Sequence, residues 1–201
     1  MLNILLELRN GTTVTEEMCM PAYIAMLRGI NVSGNKIIKM EQLREAFESL
    51  GFRNVKTYVQ SGNVVFEAGK NSSDTFSERI GKRILRDFGF AVPVLLRTSK
   101  DMERIIHQNP FVKKAGIDDS KLHVTFLSAA APKTAEESLG ALAMQPEQFH
   151  INAREIYLYC PNGYGRTKLS NTVIEKKLGL GATTRNWKSV NALLAMAQSR
   201  P

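Results

Sequence analysis

Between Ala22 and Arg97 the apolar residues change their spacing several times, and the order of those changes restricts the fold more than any bulk property of the chain. Ala22 to Leu27 is a continuous apolar run that reads as a strand, followed by the loop Gly29-Ile30-Asn31-Val32-Ser33-Gly34-Asn35. Leu43, Ala46, Phe47 and Leu50 then recur at helical spacing, and Gly51 stands where a C-capping glycine belongs. Val55, Thr57 and Val59 alternate with polar residues, Ser61-Gly62-Asn63 supplies a turn, and Val64 to Phe66 returns, which together read as a β-hairpin. Asp74 to Phe88 is helical, with Phe76, Ile80, Ile84 or Leu85, and Phe88 on one face and Gly89 at its end; Ala91 to Leu96 is expected as a fourth strand. The order β-α-β-β-α-β is that of a ferredoxin-like split βαβ unit, in which two helices cover one face of an antiparallel sheet.

Downstream, Ser99 is expected to cap a helix that runs to about Gln108, where Asn109-Pro110 stops it. Leu122 to Leu127 reads as a strand and Lys133 to Met144 as a helix. Phe149 to Tyr159 reads as a hairpin turning at Asn152-Ala153-Arg154. A loop at Pro161 to Gly165, a helix from Leu169 to Leu178 ended by Gly179, and a final helix from Trp187 to Ala197 complete the chain. The expected fold is therefore α+β in two halves: residues 20–98 ferredoxin-like, residues 99–201 a similar, smaller α+β unit with C-terminal helices. Strand, helix, hairpin and helix recur in the second half without a residue-level repeat, so duplication is suggested by topology alone.

Residues 1–19 are expected to lie outside this fold, because they show no periodicity and Met20 stands directly before the first strand pattern. Met1 to Leu6 is apolar apart from Asn3, but Glu7 and Arg9 interrupt it before the roughly 7–15 residues of a secretory signal core. No apolar stretch approaches the roughly 20 residues that cross a bilayer as a helix. Cys19 and Cys160 make neither a disulfide framework nor a zinc-ligand spacing, which fits a reducing cytoplasm. Twenty-seven Lys and Arg against nineteen Asp and Glu leave a formal net charge of +8. A surplus of that size attracts polyanions and anionic metabolites without choosing among them.

Four motifs stand out from the periodic background: Met26-Leu27-Arg28-Gly29-Ile30-Asn31-Val32, Tyr58-Val59-Gln60-Ser61-Gly62-Asn63-Val64, Asn162-Gly163-Tyr164-Gly165-Arg166-Thr167-Lys168-Leu169, and Ala182-Thr183-Thr184-Arg185-Asn186-Trp187-Lys188. Through them the chain resembles the bacterial family of unknown function DUF1697, from Met20 to about Gln198. The resemblance implies a cytoplasmic α+β protein in two ferredoxin-like or similar halves, with no established reaction and with Met20 as the usual start.

Two of these motifs are loops that follow a strand and open a helix, where exposed amides and cationic side chains suit a phosphate or carboxylate. The first offers Arg28, Asn31, Lys36 and Lys39; its spacing fits neither a Walker loop nor a Gly-x-Gly-x-x-Gly fingerprint, and its plainer reading is a connection with solvated lysines. The second offers Tyr164 as a stacking face with Arg166 and Lys168 as charge-assisted donors, against a tight turn whose arginine pairs with a nearby carboxylate. Trp187, flanked by Arg185 and Lys188, can stack a base or a planar metabolite, although the tryptophan also suits an anchor at the start of the last helix, with Asn186 as its cap. Cys160 with Arg166-Thr167 spells the Cys-x5-Arg-Thr of cysteine phosphatases, but Tyr159 replaces the usual histidine and no general acid is recognisable. The scattered His107, His123 and His150 form no catalytic or metal pattern, and no cofactor is named by the sequence.

The expected function is binding of a phosphorylated or nucleotide-like metabolite in a basic cleft between the halves. Single-stranded nucleic acid is the weaker form of this reading, since Val64 to Phe66 lacks the alternating aromatics of RNA-recognition motifs. The alternatives are an enzyme acting on a phosphorylated small molecule through Cys160 and a protein that binds another protein. A pairing of the two loops across one cleft would favour the first.

Overall fold

The computed structural model describes residues 20–32, 34–69, 73–112, 114–143 and 145–199, so the expectation for residues 1–19 lies outside the described part. The first half is built from β1 (Ala22–Leu27), α1 (Met40–Glu48), β2 (Arg53–Tyr58), β3 (Asn63–Glu67), α2 (Ser73–Phe88), β4 (Val94–Thr98) and α3 (Ser99–His107). The second is built from β5 (Leu122–Leu127), α4 (Ala135–Gly140), β6 (Gln148–Asn152), β7 (Glu155–Tyr159), α5 (Asn171–Leu178), β8 (Ala182–Asn186) and α6 (Trp187–Gln198). Each half contributes one four-stranded antiparallel sheet, in the orders β2-β3-β1-β4 and β6-β7-β5-β8. Among the described residues no helix is long and apolar enough to cross a membrane.

Side-chain alternation explains how the sheets stack. On β1, Tyr23, Ala25 and Leu27 enter a cluster with Phe47, Phe66, Phe76 and Ile80 from β3 and the covering helices α1 and α2. Ile24 and Met26 point the other way, into a second cluster with Met102 and Ile105 of α3, Val124 and Phe126 of β5, and Trp187, Val190 and Leu193 of α6. Leu139 of α4 and Ile174 of α5 meet Leu127, Ile156 and Leu158 on the far face of the second sheet. Thus α3 and α6 form a middle layer shared by both sheets. A strand buried on both faces has no polar side to show, which is why β1 reads as an unbroken apolar run.

Several boundaries differ from the sequence expectation. The fourth strand starts at Val94 rather than Ala91, because Pro93 has no amide hydrogen to give the ladder, and it continues to Thr98. Thr98, not Ser99, caps α3: its hydroxyl accepts the Asp101 amide at 3.1 Å while the Asp101 carboxylate accepts the Thr98 amide at 3.1 Å. The expected helix from Lys133 to Met144 shrinks to Ala135–Gly140, where a glycine, with its high conformational entropy, is the last helical residue. The loop at Pro161 to Gly165 leads into a single 3₁₀ turn at Tyr164–Arg166. Strand β8 was not expected at all, and it completes the second sheet beside β5.

Ladder register makes the two halves comparable residue by residue. Met26 faces Asn63 in the first sheet, as Phe126 faces Glu155 in the second. Ile24 pairs with Arg97, as Val124 pairs with Arg185. Asn63 and Glu155 are therefore equivalent, and so are Arg97 and Arg185.

Candidate functional site

Each of these equivalent arginines leaves its own sheet and grips the other half. Arg97, 3% exposed, donates from Nε to Glu155 at 2.8 Å and from Nη2 to the carbonyls of Leu127 at 3.0 Å and Arg154 at 3.1 Å. Arg185, 8% exposed, donates from Nε to the Asn63 side-chain oxygen and from Nη2 to the carbonyls of Leu27 at 3.0 Å and Ser61 at 3.1 Å. Its Nη1 donates to Thr183 Oγ1 at 2.8 Å and to the Thr184 carbonyl at 2.9 Å. The targets match: the last residue of a central strand, a hairpin carbonyl, and the first side chain after the hairpin.

One residue breaks the symmetry. Glu155, 1% exposed, gives Arg97 a countercharge, whereas Asn63 gives Arg185 only a dipole. Burial, reinforced by the nearby charge of Arg28, pulls the Arg185 pKa down to about 10, so the guanidinium stays charged at neutral pH. For Arg97 burial also lowers the value, but the carboxylate of Glu155 works against it.

The loop after β1 reaches the same place. Arg28 pairs with Glu175 of α5 at 2.9 Å and approaches Thr172 at 3.4 Å, so the first glycine-rich loop lands on the helix that the second one opens. Asn31, at φ 54°, accepts the Ile38 amide at 2.8 Å and donates to the carbonyls of Ile38 at 2.9 Å and Gln60 at 3.0 Å, pinning its loop to the β2–β3 hairpin. Tyr164 stacks on His123 with ring centroids 5.0 Å apart and donates its hydroxyl to Thr184 at 2.9 Å, next to Arg185. All four sequence motifs thus meet at one junction, through Leu27, Arg28, Ser61, Asn63, Tyr164, Thr184 and Arg185.

Other expected residues lie elsewhere. Lys36 donates to the Ala91 carbonyl at 2.8 Å and sits over Phe90, and Lys39 is the exposed N-cap of α1, with no side-chain cap bond. Trp187 is buried in the middle layer as the first residue of α6, the placement of a packing anchor, and Asn186 caps that helix by accepting the Ser189 amide at 2.8 Å. Arg166 and Lys168 are exposed, and their side chains have no partner among the described residues.

Cys160 is 2% exposed, and its thiol is pushed up to about 12 by burial, with the Glu147 carboxylate adding to the effect. A nucleophilic thiolate needs the opposite shift. The loop amides are also engaged within the loop: Gly163 donates to the Cys160 carbonyl at 2.9 Å, Arg166 to Gly163 at 3.1 Å and Thr167 to Tyr164 at 3.3 Å. They do not converge on an anion held over the sulfur.

In the sequence Arg97, Glu147 and Glu155 belong to no candidate site, and Asn63 only to a turn. Asn63 looked like an ordinary turn residue, and the glutamates carry no motif. Arg97 alone left a signal, a cation inside the apolar Val94-Leu95-Leu96-Arg97 run. Among the described residues, His, Cys, Asp and Glu side chains form no group of three that could hold a metal ion.

Comparison with known proteins agrees with this architecture. The solved structure of a conserved bacterial protein from Streptococcus pneumoniae is similar, with a TM-score of 0.67 and 21% sequence identity, covering 89% of this chain and 99% of that one. At that identity the likeness speaks for the fold. No curated protein matches the chain. A family model described as a protein of unknown function, DUF1697, matches residues 20–157, well over half the sequence, and the chain belongs to that family.

Proposed function

We propose that the protein binds an anionic metabolite, phosphorylated or nucleotide-like, in the cytoplasm, at the junction of its two halves, with Arg166 and Lys168 as its direct contacts. The observation that carries this reading is the uncancelled charge of Arg185. Its twin Arg97 has Glu155, Arg28 has Glu175, and Arg185 has only neutral acceptors. A buried cation without a countercharge projects a positive field, because low-polarity surroundings screen it poorly. Tyr164 touches the strand that holds Arg185, and two residues further along the same turn stands the unpartnered Arg166.

The reading treats each half as a ferredoxin-like unit, supported by strand orders in which β3 separates β1 from β2 and β7 separates β5 from β6. Helices lie on both faces of each sheet, which favours a small ligand over an RNA strand stacked on an open sheet face. A cytoplasmic setting agrees with a buried, free Cys160.

Calorimetric titration of inorganic phosphate tests the proposal. Arg166→Ala is expected to weaken binding about tenfold, the scale of one lost charge-assisted hydrogen bond, while Cys160→Ser leaves it unchanged. Absence of saturable phosphate binding, or an Arg166→Ala variant that binds as well as the parent, would overturn it.

A further inference from the structure

The turn that carries Arg166 and Lys168 also carries Thr167, whose hydroxyl donates at 3.0 Å to Glu147. Glu147 is 8% exposed and lines an open cleft of about 420 Å³ together with Phe111, Lys114, Gln148, Phe149 and His150. No cation pairs with this carboxylate, and one of its oxygens has no partner among the described residues. A carboxylate has about four acceptor positions, and the free oxygen of Glu147 is not enclosed by protein, so a donor arriving in the cleft has a ready counterpart.

The rest of the wall narrows the kind of donor. Lys114 donates to Gln148 Oε1 at 3.0 Å and lies over the Phe111 ring, which places a fixed positive charge in the cleft. A cationic ligand would be repelled by it and by the surplus charge of the chain. A neutral ring with adjacent N–H donors meets Glu147 without that penalty. Because its oxygen is engaged by Lys114, Gln148 keeps the donors of its amide nitrogen for a ring carbonyl. One acceptor followed by two donors along a planar edge is the pattern that guanine presents. Phe149 and Phe111 supply apolar surface for the ring.

The geometry points to this cleft as a site for a guanine-type base, held by Glu147 and Gln148. It rests on the anion-binding reading in one respect, that the phosphate of the same nucleotide falls to Arg166 and Lys168. The base contacts stand on their own.

Guanosine, inosine, adenosine and inorganic phosphate titrated separately into the full chain, by calorimetry, test it. Guanosine is expected to bind saturably. Inosine, which lacks the 2-amino group, is expected to bind about tenfold more weakly, and adenosine, with an acceptor where guanosine has its ring N–H, more weakly still. Glu147→Gln is expected to reduce guanosine affinity about tenfold or more and to leave phosphate binding unchanged, while Arg166→Ala does the reverse. If Glu147→Gln does not fold, the nucleoside series on the unaltered chain decides. Adenosine binding as tightly as guanosine, or no guanosine binding, overturns the inference. Phosphate bound without guanosine removes only the base site, and guanosine bound without phosphate removes only the anion reading.

Discussion

Glu155 and Asn63 hold equivalent places, and the difference between them sets the electrostatics of the junction. Where the carboxylate stands, the buried guanidinium of Arg97 is neutralised; where the amide stands, that of Arg185 is not. A buried ion pair adds little net stability, but removing one partner strands the other. Arg97→Met is therefore expected to lower the unfolding free energy by about 3–5 kcal/mol, and a further Glu155→Gln to recover part of that loss, measured by urea denaturation. A double variant no more stable than the single one would show that the stranded carboxylate is not the cause. Such pairs are hard to read from sequence: Arg97 meets Glu155 58 positions away, and Arg185 meets Asn63 at 122. Residue types were legible, as in Arg28, Tyr164 and Arg185, but their partners depend on how the sheets stack.

Elements governed by local chemistry were the legible ones. The runs that became β1 and β5 were placed to the residue, and the end of α5 at Gly179, φ 67°, followed from the rule for capping glycines. Strand β8 was missed because Ala182-Thr183-Thr184-Arg185-Asn186 has no apolar alternation; Thr184 is satisfied by Thr125 on the neighbouring strand, Thr183 by Arg185 of the same strand, and Arg185 alone by acceptors across the junction. The β2–β3 hairpin shows how tightly one element can depend on a single position. Gly62, at φ 72°, packs so closely that an added Cβ would stand 2.8 Å from Leu27 Cβ and 2.9 Å from Ile30. Gly29 has the same φ of 72° but open space around it. Gly62→Ala is expected to cost about 2–4 kcal/mol, combining backbone strain with overpacking, and Gly29→Ala only about 1 kcal/mol from the backbone. Equal losses in the two variants, read from denaturation midpoints, would mean that the close approach to Leu27 is relieved without cost.

The two halves repeat one element order, yet neither owns its whole core. Ile24, Met26, Val65 and Leu95 of the first sheet are buried against α3 and α6, and α6 also packs on β5 and β8 of the second. The crossed grips of Arg97 and Arg185 tie the same layers at their edge. Opening one half would expose apolar surface on the other, at about 25 cal/mol for each Å² returned to water, and would strip both arginines of acceptors. Coupling of that kind makes unfolding a single transition even in a chain that looks like two small units. Trp187 is the only tryptophan, and it sits in the shared layer. Its fluorescence and the far-ultraviolet circular dichroism of both sheets are expected to change at the same urea concentration, with one midpoint and one slope. Two separated transitions, with Trp187 following only one of them, would show that the halves unfold independently and that the middle layer belongs energetically to one sheet.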